Sequence, residues 1–103
     1  MPLTNGFATA SDRADHFQKH GLEFRVRNEV EYEGRADRFL GGSRWRWTLE
    51  CVRSNGDVVR YNLLTREFGV LGRGDVIRTY FRPTRAVHGE WSNWKYFRRE
   101  CDR

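Results

Sequence analysis

His16 and His20 stand four residues apart in the segment Ser11–His20, where a helix places both on one side. Imidazole changes charge near neutrality, so one histidine of such a pair can take a proton while the other gives one. Lys19 lies beside them as a cation for an anionic substrate. No other constellation has comparable spacing. Asp37, Glu50 and Glu67 are scattered singly and form no carboxylate pair, and Cys51 has no visible base. Gly72-Arg73-Gly74 reads as a hairpin and does not precede a helix, so it is no phosphate loop. The histidines can together ligate zinc, but a structural site needs four tetrahedral ligands, and Cys51 and Cys101 lack the close pairing usual in zinc sites. The expectation is a chain without metal or other cofactor.

The remaining chemistry is arginine. Lys+Arg is 19 against Asp+Glu 14, a net charge of +5 with a pI near 9.8, and Lys19 and Lys95 are the only lysines. Guanidinium grips phosphate bidentately and stacks on bases, so a polyanion is the expected partner, nucleic acid first. A GC-rich genome also swaps lysine for arginine. Arg60, Arg78 and Arg82 fall on strands, where such a row makes either a phosphate track or an ordinary solvated face. Trp91 and Trp94 can stack on bases or pack the tail onto the sheet.

The elements that must position these residues centre on Arg53–Pro83. Ser54-Asn55-Gly56-Asp57 and Gly72-Arg73-Gly74-Asp75 are turn signals between β-branched and aromatic runs, predicting an antiparallel meander with strands near 45–53, 58–64, 67–72 and 76–82. Trp45, Trp47, Leu49 and Cys51 alternate as a half-buried strand does, as do Ile77, Thr79 and Phe81. That alternation places Thr79 on one face and Arg78, Tyr80 and Arg82 on the other. Upstream, Ser11 or Asp12 caps a helix ending at Gly21. Asn28 with Glu31 opens a second over 29–40, with Tyr32, Ala36, Phe39 and Leu40 as its apolar stripe. Residues 91–101 close the chain as a short helix or turn. The predicted architecture is α+β: two N-terminal helices packed on one face of a four-stranded antiparallel sheet. Residues 1–10 read as a poorly ordered N-terminus and 11–103 as a single domain. No signal peptide and no stretch of roughly 20 apolar residues is visible. Cys51 and Cys101 read as a strand thiol and a tail thiol, with a bridge between them left open.

Three stretches carry a resemblance: His16-Phe-Gln-Lys-His-Gly-Leu-Glu-Phe24 with Tyr32, Ala36, Phe39 and Leu40; Val59-Arg-Tyr-Asn with Thr65-Arg-Glu-Phe-Gly-Val70; and Gly74-Asp-Val-Ile-Arg-Thr-Tyr-Phe-Arg-Pro83 with Asn93, Tyr96 and Phe97. Over about residues 16–101 the chain resembles C-terminal toxin domains of bacterial polymorphic and contact-dependent inhibition systems. These are small metal-independent ribonucleases of the fold shared by barnase, EndoU, colicin D and RelE. The resemblance implies RNA cleavage, with tRNA the expected substrate, in a cleft between the first helix and the sheet. It also implies delivery into the bacterial cytoplasm, an immunity protein, which a +5 surface predicts to be acidic, and no membrane; the free chain is expected to be a monomer. Such toxins usually end very large secreted proteins, whereas this chain is short and begins with Met1, as would an excised domain, a prophage-encoded relative or a stand-alone toxin.

On that reading His16 and His20 supply acid and base, in an order the sequence leaves open. Thr79 and Tyr80 donate hydrogen bonds to phosphate, and Lys19, Arg60, Arg78 and Arg82 bind it. The competing class is a non-catalytic nucleic-acid-binding module, which has no need of the histidine pair; a protein-interaction domain is a third.

Overall fold

The computed structural model describes residues 2–103; Met1 lies outside them. It is α+β, with four helices and one open four-stranded antiparallel sheet. Thr9 caps α1 (Ala10–His20), accepting from the Asp12 amide, slightly upstream of the expected start. Asn28 caps α2 (Glu29–Gly41) by accepting from the Glu31 amide. The Glu31 carboxylate does not return to Asn28 but takes the Arg27 amide and guanidinium. Between these helices a 3₁₀ turn, Gly21–Phe24, sinks Phe24 into the core.

The strands β1 (Thr48–Val52), β2 (Val58–Asn62), β3 (Phe68–Gly72) and β4 (Val76–Phe81) lie side by side in chain order. Both hairpin turns form where expected, with left-handed backbone at Gly56 (φ +96°) and Gly74 (φ +76°), which glycine adopts without penalty. The first strand begins later than its alternation predicts. Trp45 and Trp47 are exposed and precede β1. Trp47 takes φ +69°, and the Trp45 carbonyl accepts from the Thr48 amide, so the chain turns there instead of extending.

Both faces of the sheet are covered, not one. Tyr32, Ala36 and Leu40 of α2 pack with Phe7, Phe24, Ile77 and Tyr80 on the first face, with Phe17 of α1 against them. On the second face Val59, Tyr61, Phe68 and Val70 pack against Phe97 of α4 (Asn93–Cys101), which follows the short α3 (Arg85–His88). Cys51 and Cys101 form a disulfide that ties α4 to β1. Tyr96 and Phe97 make the tail's packing, while Trp91 and Trp94 remain exposed.

A bulge splits β4. Val70 pairs with Thr79 and Leu71 with Ile77, leaving Arg78 without a partner. The expected common face of Ile77, Thr79 and Phe81 is therefore broken: Ile77 and Tyr80 join the helix-side core, and Phe81 joins the other. The N-terminus, expected to be poorly ordered, runs along the outer edge of β4. The Ile77 amide donates to the Gly6 carbonyl, and Phe7 is buried. Buried Asp37 accepts from the Leu3 and Thr4 amides and the Thr4 hydroxyl.

Candidate active site

His20 closes α1, and its Nδ1 lies 2.9 Å from Glu23 Oε2. An ionised carboxylate only accepts, so Nδ1 carries the proton and Nε2 is left for exchange. Glu23 is held in turn, its Oε1 accepting from the Arg82 amide at 2.7 Å. The His20 ring stacks on Phe81, centroids 5.1 Å apart. One helical turn earlier, His16 stacks on Phe7 at 5.0 Å, with its ring 6.2 Å from that of His20. Among the described residues His16 Nδ1 is buried without a hydrogen-bond partner. Burial, reinforced by the neighbouring His20 and Lys19 charges, holds the His16 pKa below its ordinary 6.5, so this imidazole is neutral at pH 7. Lys19 is exposed on the same helix. The two histidines thus form a pair in which one ring is neutral and the other is oriented by a carboxylate.

The other expected site residues separate. Thr79 shares the face of Phe81, two residues from the ring that His20 stacks on. Tyr80 lies on the opposite face, fully buried, with its hydroxyl donated to Glu67; burial and the Glu67 charge push its pKa far above the ordinary phenol value. Arg60 donates to the Phe39 and Gly42 carbonyls at the end of α2 and pairs with Glu50. Arg82 donates to the Thr65 and Glu23 carbonyls and covers the Phe24 ring. Arg78 projects from the bulge toward Asp57, at the opposite end of the sheet from His20. The geometry brings His16 and His20 together beside Phe81 at the end of β4, with Lys19 exposed on the same helix. It ties Arg60 and Arg82 into the scaffold.

Glu23 and Phe81 are what sequence reasoning passed over. The i,i+3 spacing of His20 and Glu23 is a visible signal for the first. A second overlooked feature is the asymmetry between the two ends of the sheet. At the end formed by the turns 53–57 and 72–75, Arg53 and Arg78 pair with buried Asp57, and Arg73 donates to the Asn55 carbonyl. At the other end β1 and β3 begin and β2 and β4 finish, and His20 and Glu23 sit there. Around it the guanidinium groups of Arg25, Arg38, Arg44, Arg46 and Arg66 have no carboxylate, hydrogen-bond or aromatic partner among the described residues. Unpaired guanidinium groups concentrated on one rim make a field suited to phosphate. Leu22, Trp45, Trp47, Leu63 and Leu64 are exposed at the same end.

Among the described residues no group of three or more histidines, cysteines or carboxylates is placed to hold a metal ion, and no helix is long and apolar enough to cross a membrane. Compared with family models and with curated proteins, the chain matches none.

Proposed function

We propose that this chain is a metal-independent endoribonuclease of the toxin class, with the barnase-like arrangement of helices on an antiparallel sheet, acting on RNA and on tRNA first. The observation that carries the reading is the neutral His16 beside the Glu23-oriented His20, at the sheet end where the unpaired arginines gather. His16 takes the proton of a ribose 2′-OH as its oxygen attacks the adjacent phosphorus. His20 gives its Nε2 proton to the departing 5′-oxygen. The P–O2′ bond forms, the P–O5′ bond breaks, and the products carry a 2′,3′-cyclic phosphate and a 5′-hydroxyl. Glu23 stabilises the imidazolium from which His20 donates. In this reading Thr79 and Lys19 meet the phosphoryl charge, and the unpaired arginines hold the flanking strand.

The +5 charge also supports an acidic immunity protein that captures the same rim in the producing cell and leaves the delivered chain monomeric. Disulfides persist in oxidising compartments, so the Cys51–Cys101 bond suits a protein exported before it acts in a recipient cytoplasm. A non-catalytic nucleic-acid-binding module is the second reading, favoured by the exposed tryptophans beside those arginines. Incubation with bulk tRNA in EDTA separates the two. Cleavage leaving cyclic phosphates supports the ribonuclease. Intact RNA, 5′-phosphate products, or activity abolished by EDTA overturns it.

A further inference from the structure

A pocket of about 320 Å³ opens between the last turns of α2 and the strand ends, lined by Arg35, Arg38, Trp45, Thr48 and Glu67 among others. Its members have unlike chemistry and are held to unlike degrees by their neighbours. The Glu67 carboxylate is fixed from behind, one oxygen accepting from Thr65 Oγ1 and the other from Tyr80. Each oxygen keeps a lone pair for another donor. Arg35 lies over the Phe24 ring with Nη2 3.8 Å from Glu67, and Arg38 is exposed and unpaired among the described residues.

Trp45 is 60 % exposed, yet its backbone is pinned. Its carbonyl accepts from the Thr48 amide, and the adjacent Arg46 and Trp47 carbonyls accept from the Asn62 side chain and the Leu63 amide. A large indole held in water on a fixed loop, beside two guanidinium groups and a half-satisfied carboxylate, is a surface prepared for a flat, anionic, N–H-bearing ligand.

We infer that this pocket is a nucleotide subsite for single-stranded RNA. Trp45 stacks on a base, Glu67 accepts from that base's N–H edge, and Arg35 and Arg38 hold its phosphate. The inference deepens the ribonuclease reading and rests on it for the choice of RNA. The subsite continues the same sheet end as the histidines, through Glu23, Arg82 and Phe24. It fixes where a strand lies before its scissile phosphate reaches His16 and His20.

The test uses a fluorescent 2′-O-methyl oligoribonucleotide, which has no 2′-OH and cannot be cleaved by this chemistry. Its affinity is measured by anisotropy for the intact protein and for Trp45→Ala, Trp45→Phe, Arg38→Ala and Trp91→Ala. Loss of one stacked base is expected to weaken binding about tenfold in Trp45→Ala, with Trp45→Phe restoring most of it. Trp91→Ala should bind as the unaltered protein does, since its indole precedes α4 and lies under the Arg85 guanidinium. Equal affinity in Trp45→Ala and Trp91→Ala overturns the inference and leaves Trp45 for a protein partner, as does failure of the unaltered protein to bind. Binding lost in Trp45→Ala by a protein that cleaves no RNA would support the subsite while removing the ribonuclease reading. Undiminished binding in a protein that does cleave would do the reverse.

Discussion

Glu23 and His20 meet at 2.9 Å across the corner where α1 passes into the 3₁₀ turn, and the same carboxylate holds the backbone of Arg82. One acidic residue thus sets both the tautomer of a histidine and the position of the strand end beneath it. Glu23→Gln keeps an acceptor for the Arg82 amide but removes the charge facing the imidazole. Its cleavage rate is expected between that of the unaltered protein and His20→Ala. The Nδ1–H signal of His20 in proton NMR should shift or vanish, which a purely structural role for Glu23 would not cause.

Alanine at His16 or at His20 should lower the cleavage rate roughly 10²–10⁴-fold, the usual loss for a general acid or base. Circular dichroism should show the fold retained, because neither ring belongs to the buried core. Full activity in both variants would remove them from the mechanism.

Burial lowers the His16 pKa, and the sign of its pH effect follows. Above 6.5 the ring is neutral in both the folded and unfolded chain, and it does not bias folding. Below 6.5 the unfolded chain takes up the proton first, so stability falls with pH until the folded form also protonates. Denaturation midpoints should therefore decline on the acid side of 6.5, and His16→Gln should flatten that decline. The acid limb of the rate profile should lie below 6.5 for the same reason.

The disulfide closes a sequence separation of 50 residues. Chain entropy alone assigns such a loop about 4 kcal/mol. Reduction, or Cys51→Ala with Cys101→Ala, should lower unfolding free energy by about that amount in urea titrations. Proteolysis should then begin in α4, which the bond holds against β1.

Arg60→Ala should lower the melting temperature and leave RNA affinity unchanged, because its fork is spent on the Phe39 and Gly42 carbonyls and on Glu50. Arg44→Ala with Arg46→Ala should do the opposite. Each lost phosphate contact should reduce the slope of log affinity against log salt by about 0.7 for a single strand. Titrations at several salt concentrations distinguish the two kinds of arginine.

That contrast marks where the sequence stops being informative. Asn28 caps an amide three residues on with its own side chain, and Gly56 and Gly74 act through their own backbones, so the α2 start and both hairpins could be read directly. An arginine's partners lie far along the chain, so composition could not tell satisfied Arg60 and Arg82 from unpaired Arg44 and Arg46. The alternation through Trp45 and Trp47 looked like a strand because periodicity records spacing, not whether a neighbouring strand is there to pair. The Cys51–Cys101 bond needs α4 to cross the second sheet face, a placement no local signal carries. The histidine pair was visible because helical spacing alone makes it. Glu23 was equally near, but its value depends on the turn that follows α1.

Arg78 is the spare residue that the bulge inserts into β4, and its side chain is 58 % exposed. Almost any amino acid should serve at that position, and even its deletion should be tolerated, since Ile77 and Tyr80 would then stand two apart on one face of a regular strand. Were Arg78 paired in regular register instead, Ile77 and Tyr80, three residues apart, would point to opposite sides, and one of them would have to leave the core shared with Phe24 and Tyr32. At this point in the strand the fold absorbs a residue without reading it: undoing the bulge while keeping that residue would exchange inside for outside along everything that follows, including Phe81, the seat of His20.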